Sequence, residues 1–224
     1  MSFAAPALYL ITARAATRGR PLVDLIAQAL AAADPFRRDD GRLPLAICLR
    51  EKDLDGAALI DLARSIAQLC HAAGADFFVN TRLDVALASG ADGVHLPAAG
   101  IPPAEVRAAA PNLRVGLSTH TSGEVAAAAR AGSGVDFVVF GPVFETPSKQ
   151  GFLNARGLTE LSCAAGLGIP LLALGGITPS AVEDCEKAGA AGVGCIRAVW
   201  SADDVAAATV SFLSRFQRGN RKNS

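Results

Sequence analysis

The chain has 224 residues, 51% hydrophobic and 19% charged, with 21 basic against 21 acidic side chains. That composition is too apolar for a disordered segment, and the length suits one barrel-sized α/β domain around a single large core. A formal charge of zero excludes the basic field of a nucleic-acid binder and the polybasic face that anionic lipid attracts.

In chain order, short apolar runs rich in β-formers alternate with Ala-rich helical patterns. Leu8–Thr12 precedes helix Leu22–Ala32, Leu45–Arg50 precedes Gly56–Ala73, Phe77–Asn80 precedes Leu83–Ser89, and Gly93–Leu96 precedes Pro103–Ala109. Then come Arg114–Ser118 with Ser122–Ala131, Phe137–Phe140 with Gly157–Gly166, Pro170–Leu174 with Pro179–Ala188, and Gly192–Ile196 with Ala202–Phe216. Eight strand–helix units are the number that closes a (β/α)8 (TIM) barrel. Gly-Ala-Asp or a similar triplet starts at Gly74, Gly90, Gly134 and Gly189. There a left-handed glycine ends a helix and drops the chain into the next strand. An open doubly wound sheet uses the same joints, so they alone do not fix closure. No linker splits the sequence, and Pro35–Leu43 reads as a loop. One domain over 1–224 is expected, with its core over 8–216 and a polar tail at 217–224.

The longest apolar stretch, Cys163–Ile177, is broken by glycines and Pro170 and is shorter than a bilayer requires. Met1–Arg14 has no basic residue ahead of its apolar run, which argues against a secretory leader. Cys48, Cys70, Cys163, Cys185 and Cys195 form no C-x-x-C pair and no zinc spacing. They read as reduced, mostly buried thiols of a cytoplasmic protein.

Ligands of a parallel barrel meet the carboxyl ends of its strands, so the polar residues there are the candidates. Two-residue periodicity puts Cys48, Arg50 and Lys52 on the inner face of the second strand, and Leu45, Ile47 and Leu49 toward the helices. Two inward cations need an anion, either a ligand or internal carboxylates, because unpaired buried charge is costly. Asn80 ends the third strand, and its amide suits a heterocycle edge or a helix N-cap. Ser118, Thr119 and His120 end the fifth, and His120 is the best-placed general acid or base of three histidines. His71 lies in a helical pattern and reads as structural; His95 ends a strand and leaves both readings open. After the sixth strand, Thr146, Ser148 and Lys149 form an anion clamp or a polar surface loop, whose glycine spacing is not that of a P-loop. Gly175 and Gly176 after the seventh strand, with Ile196 and Arg197 before a short polar turn after the eighth, outline a phosphate corner.

Leu8–Thr12, Leu49–Lys52, Asp84–Ala88, Gly90–Leu96, Gly116–His120, Gly141–Phe144, Thr146–Lys149 and Gly175–Pro179 resemble, in this order and at matching spacing, thiamine-phosphate synthase and its relative the TenI-type thiazole tautomerase. The resemblance implies a closed barrel and an enzyme of thiamine biosynthesis. The synthase joins hydroxymethylpyrimidine diphosphate to thiazole phosphate and releases pyrophosphate. Its pattern differs here in four places. A Gln-x-Arg-x-Lys run reads Cys48, Arg50, Lys52; Asn-Asp-Arg, whose Asp binds Mg2+, reads Asn80-Thr81-Arg82; the second Mg2+-binding Asp falls on Gly100; and a Ser at the last phosphate site falls on Arg197. The tautomerase moves a proton, needs no metal, and implies a catalytic His at His120; Asp136–Gly141 and Phe144–Thr146 also resemble it.

The favoured expectation is therefore a metal-independent, TenI-like thiazole tautomerase with His120, Arg50 and Lys52 as catalytic residues. Asn80, Ser118, Thr146, Ser148, Lys149, Gly175, Gly176, Ile196 and Arg197 bind substrate or phosphate. The alternatives are an atypical thiamine-phosphate synthase, the only one to call for Mg2+, and a non-catalytic phosphate-binding barrel. Expected partners are thiazole phosphate and, for the synthase, pyrimidine diphosphate, with neither nucleic acid nor membrane. A second copy could pack on Ala-rich helices such as Gly56–Ala73.

Overall fold

Strand β1 (Leu8–Ile11) pairs with β2 (Leu45–Leu49) on one side and with β8 (Gly192–Cys195) on the other in the computed structural model, which describes residues 4–145 and 154–220, side chains through 216. Between them β3 (Asp76–Asn80), β4 (Gly93–Leu96), β5 (Arg114–Thr119), β6 (Phe137–Phe140) and β7 (Leu171–Leu174) follow in sequence order, every pair parallel, and the sheet closes on itself. The closed barrel of the expectation is what forms, and the open sheet is excluded.

Helices α1 (Leu22–Ala33), α2 (Gly56–Ala73), α3 (Leu83–Ser89), α4 (Pro103–Ala109), α5 (Ser122–Ala128), α6 (Gly157–Ala165) and α7 (Val182–Lys187) return the chain between strands. The Asp55 carboxylate accepts from the Ala58 amide and starts α2, while Gly74 at φ 72° ends it in the left-handed conformation that a Cβ disfavours. Two features depart from the sequence expectation. A separate short helix α8 (Arg197–Trp200) follows β8 directly where a polar turn is expected, and α9 (Val205–Asn220) carries helix into the tail at 217–224.

Alternation along the strands splits the core in two. Leu45, Ile47 and Leu49 pack outward against the helices, while Ala46 and Cys48 join Tyr9, Ile11, Phe78, Phe137, Val139 and Leu172 inside the barrel. Tyr9, Phe78 and Phe137 meet edge to face, with centroids 5.3–5.8 Å apart, and fill the interior. A Cβ on Gly93 would stand 2.5 Å from the Phe78 ring, so the neighbouring strand must be bare there. The barrel is a packed plug, and a ligand is confined to its mouth. No helix among the described residues is long and apolar enough to cross a membrane.

Candidate active site

At the end of β2 the backbone amide of Arg50 donates to the buried Thr12 hydroxyl at 2.8 Å. This fixes where its half-buried side chain leaves the barrel wall. Among the described residues no carboxylate lies within ion-pair distance of the Arg50 guanidinium. Glu51, the nearest acid in sequence, is drawn away: its carboxylate accepts twice from the Arg14 amide, at 3.0 and 3.1 Å, and its Oε2 lies 3.6 Å from Arg14 Nε. Asp53 pairs with the same guanidinium at 2.6 Å. The strand ends at Leu49, so strict alternation no longer places Lys52; it lies in an exposed turn.

Below Arg50 a hydrogen-bonded chain runs through the interior. His95 is 2% exposed; its Nδ1 lies 3.2 Å from the Tyr9 hydroxyl and its Nε2 2.9 Å from Ser118 Oγ. Burial first, and the Arg50 charge second, push the His95 pKa down to about 4, so the ring is neutral. Cys48 lies 3.9 Å from Nδ1, and burial pushes its thiol up to about 12, so it is no thiolate nucleophile. His95 is thereby a site residue that sequence alone leaves open. Tyr9, the only tyrosine, is a member that sequence reading misses; its inner-face parity with Ile11 was the available signal.

Asn80 does not cap a helix. Its amide donates to Thr81 Oγ1 at 2.8 Å, and α3 starts from Arg82, which pairs with Asp84. Thr81 is held at φ 66°, a left-handed conformation that costs a β-branched residue more than Asn or Asp. Half-buried His120 sits just past β5, where its ring Nδ1 donates to the Gly141 carbonyl at 2.5 Å. Its neutral form then carries an unprotonated Nε2.

The β6 and β7 ends are locked together by Val143 N–H to Leu174 O (2.9 Å) and Phe144 N–H to Gly175 O (3.0 Å). Gly175 (φ 100°) and Gly176 (φ 66°) have no room for a side chain: a Cβ would stand 2.6 Å from Pro142 Cα or Glu145 O, respectively. Their own N–H groups have no acceptor among the described residues. Arg197 opens α8, exposed and likewise without a carboxylate partner among the described residues. The corner is pinned from behind. Trp200 Nε1 donates to Ile11 O at 2.8 Å, and the Arg20 guanidinium holds the carbonyls of Trp200, Ala202 and Asp203. Ile196, between β8 and α8, packs against the inner cluster. Thr146, Ser148 and Lys149 lie outside the described residues.

Magnesium takes hard oxygen donors and one or two carboxylates, and this rim does not fit it. Thr81 and Gly100 supply no carboxylate, and five acids near the mouth are already engaged. Glu51 and Asp53 serve Arg14, Asp84 serves Arg82, Glu124 accepts from the His120 amide, and Glu160 accepts from Ser122. No group of three potential metal ligands occurs among the described residues.

The barrel confines a ligand to a rim that carries Arg50, Ser118 and Arg197, the usual place for ligands in this fold. The family model described as thiamine monophosphate synthase matches residues 8–199, and the chain belongs to that family. It is 41% identical over 211 residues to the thiamine-phosphate synthase of Methanoculleus marisnigri, covering 93% of this chain and 94% of that one. It is 37% identical to that of Moorella thermoacetica, covering 90% and 91%. Among solved structures, the thiamine phosphate pyrophosphorylase of Pyrococcus furiosus superposes with a TM-score of 0.80 at 31% identity, covering 95% and 96%.

Proposed function

We propose that this chain is a thiamine-phosphate synthase that neutralises its diphosphate substrate with guanidinium and ammonium groups of its own. This reverses the order of the sequence expectation, which ranks a tautomerase first; the full-length relatives carry the synthase name. The observation that carries the charge argument is the Arg50 guanidinium, half-buried at the mouth and free of any carboxylate among the described residues.

The chemistry is one substitution. The bond between the pyrimidine methylene and the diphosphate oxygen breaks, and its electron pair leaves with pyrophosphate. The thiazole nitrogen lone pair forms the new carbon–nitrogen bond at the methylene, and no redox partner is needed. Arg50 faces the charge that develops on the leaving oxygen, and Lys52 and Lys149, with Thr146 and Ser148, complete that set on the strength of the resemblance. Asn80 reads the pyrimidine edge. The N–H groups of Gly175 and Gly176, Ile196 and Arg197 hold the thiazole phosphate, and Ser118 adds its hydroxyl to that grip.

The test is mass spectrometry and pyrophosphate detection on the purified chain given both substrates. Thiamine phosphate with equimolar pyrophosphate is expected. No release at any Mg2+ concentration overturns the reading. One observation favours a second reading, proton transfer on a thiazole phosphate carboxylate: the His120 ring is oriented by Gly141 O with Nε2 left as a base. That reading requires His120→Ala to lower isomerisation by roughly 10²–10⁴-fold and the pyrimidine substrate to be irrelevant.

A further inference from the structure

The interior of the barrel holds more polar chemistry than packing needs. Tyr9, Cys48 and His95 are all buried; Tyr9 and Cys48 meet His95 Nδ1, and His95 Nε2 reaches one mouth residue, Ser118. We infer that His95 is a positioning residue, fixed by Tyr9 as the Nε2–H tautomer, which spares the Ser118 hydroxyl hydrogen for an acceptor atom of the bound ligand.

The proton order follows from the donors and acceptors present. The Tyr9 hydroxyl is fully buried and must place its proton on a neighbour. Two acceptors are within reach, His95 Nδ1 at 3.2 Å and the Cys48 thiol. A ring nitrogen is a good acceptor and a thiol sulfur a weak one, so the proton goes to Nδ1. A neutral imidazole that accepts at Nδ1 carries its hydrogen on Nε2. That hydrogen points at Ser118 Oγ, 2.9 Å away. Ser118 then accepts from below, and its own hydrogen has no acceptor among the described residues. It is left for the mouth. The opposite order, with Ser118 donating down to His95, would leave the Tyr9 proton on sulfur and present Ser118 to a ligand as an acceptor.

The choice matters for recognition. A hydroxyl whose hydrogen is free donates to phosphate oxygens and unprotonated ring nitrogens, which a hydroxyl that spends its hydrogen on His95 cannot do. The inference rests on the proposed function only for the ligand's identity; the proton order stands on the barrel interior alone.

Two measurements on the full chain test it. Imidazole 15N NMR at neutral pH is expected to show His95 with a protonated Nε2 and a bare Nδ1; a protonated Nδ1 overturns the inference. Second, thiazole phosphate is titrated calorimetrically into wild type, His95→Gln and His95→Leu. The Gln amide can stand in for Nε2–H, whereas Leu keeps volume without a donor. His95→Leu is expected to weaken binding by about tenfold or more, the worth of one hydrogen bond to a charged group, with His95→Gln recovering most of the loss. Wild-type affinity in His95→Leu, or an equal loss in a folded His95→Gln, overturns the positioning role. If the wild type itself binds no thiazole phosphate while Nε2–H is seen, the functional reading falls with the ligand half of this one, and the proton order is upheld.

Discussion

At the end of β2, Arg50 carries a charge that no described side chain neutralises, because Arg14 has taken both acids of the same loop, Glu51 and Asp53. Glu51 stands between Arg50 and Lys52 in sequence, and without Arg14 it would be the natural partner of either. Replacing Arg50 by Gln removes a charge-assisted donor from the leaving group. We expect kcat/KM for pyrophosphate release to fall by about 10–100-fold, with the thermal midpoint nearly unchanged. His95 has a consequence for stability. Its pKa is about 4 in the folded barrel and about 6.5 when unfolded. As pH drops from about 6.5 toward 4, the unfolded chain gains a proton the folded one refuses, so stability falls, by on the order of 3 kcal/mol in all. Denaturant unfolding against pH is therefore expected to be steeper for wild type than for His95→Gln over that window. Equal slopes would show that the imidazole is not held neutral.

The elements that build the rim differ in how far sequence reveals them. The inner face of β2 was legible because strand alternation is strict: Cys48 lies inside, and Leu45, Ile47 and Leu49 lie outside. Lys52 was not, because the strand stops at Leu49 and alternation stops with it. The Tyr9–His95–Ser118 chain joins three strands, β1, β4 and β5, and depends on register across the barrel, which a linear pattern does not carry. Helix α8 was missed because four residues are too short to show a periodicity. The β6–β7 junction was read as glycine N–H groups for an anion, but the structure adds that Gly175 and Gly176 also let the two loops touch. Gly175→Ala combines a positive φ with a backbone clash. A loss of roughly 1–3 kcal/mol in denaturant unfolding is expected, along with weaker thiazole phosphate binding as the corner shifts.

For the whole molecule, closure of the sheet decides where chemistry can occur. Eight strands with Tyr9, Phe78 and Phe137 packed edge to face inside fill the interior, so a ligand is confined to the carboxyl-end rim. The number of strand–helix units was readable from the alternation of short apolar runs and Ala-rich segments; closure was not, since an open sheet shares the same glycine joints. The rim that results is rich in cations and hydroxyls, and five acids near it, Glu51, Asp53, Asp84, Glu124 and Glu160, are committed to neighbouring arginines, amides and hydroxyls. The proposed synthase would draw its charge neutralisation from Arg50 and Lys52, with Lys149 added on the strength of the resemblance. The most direct test is the initial rate of pyrophosphate release from the two substrates, measured in excess EDTA and again in saturating Mg2+. Rates within about threefold of each other are predicted, since a catalytic metal's removal would cost far more; release that vanishes in EDTA and returns with Mg2+ would contradict the account.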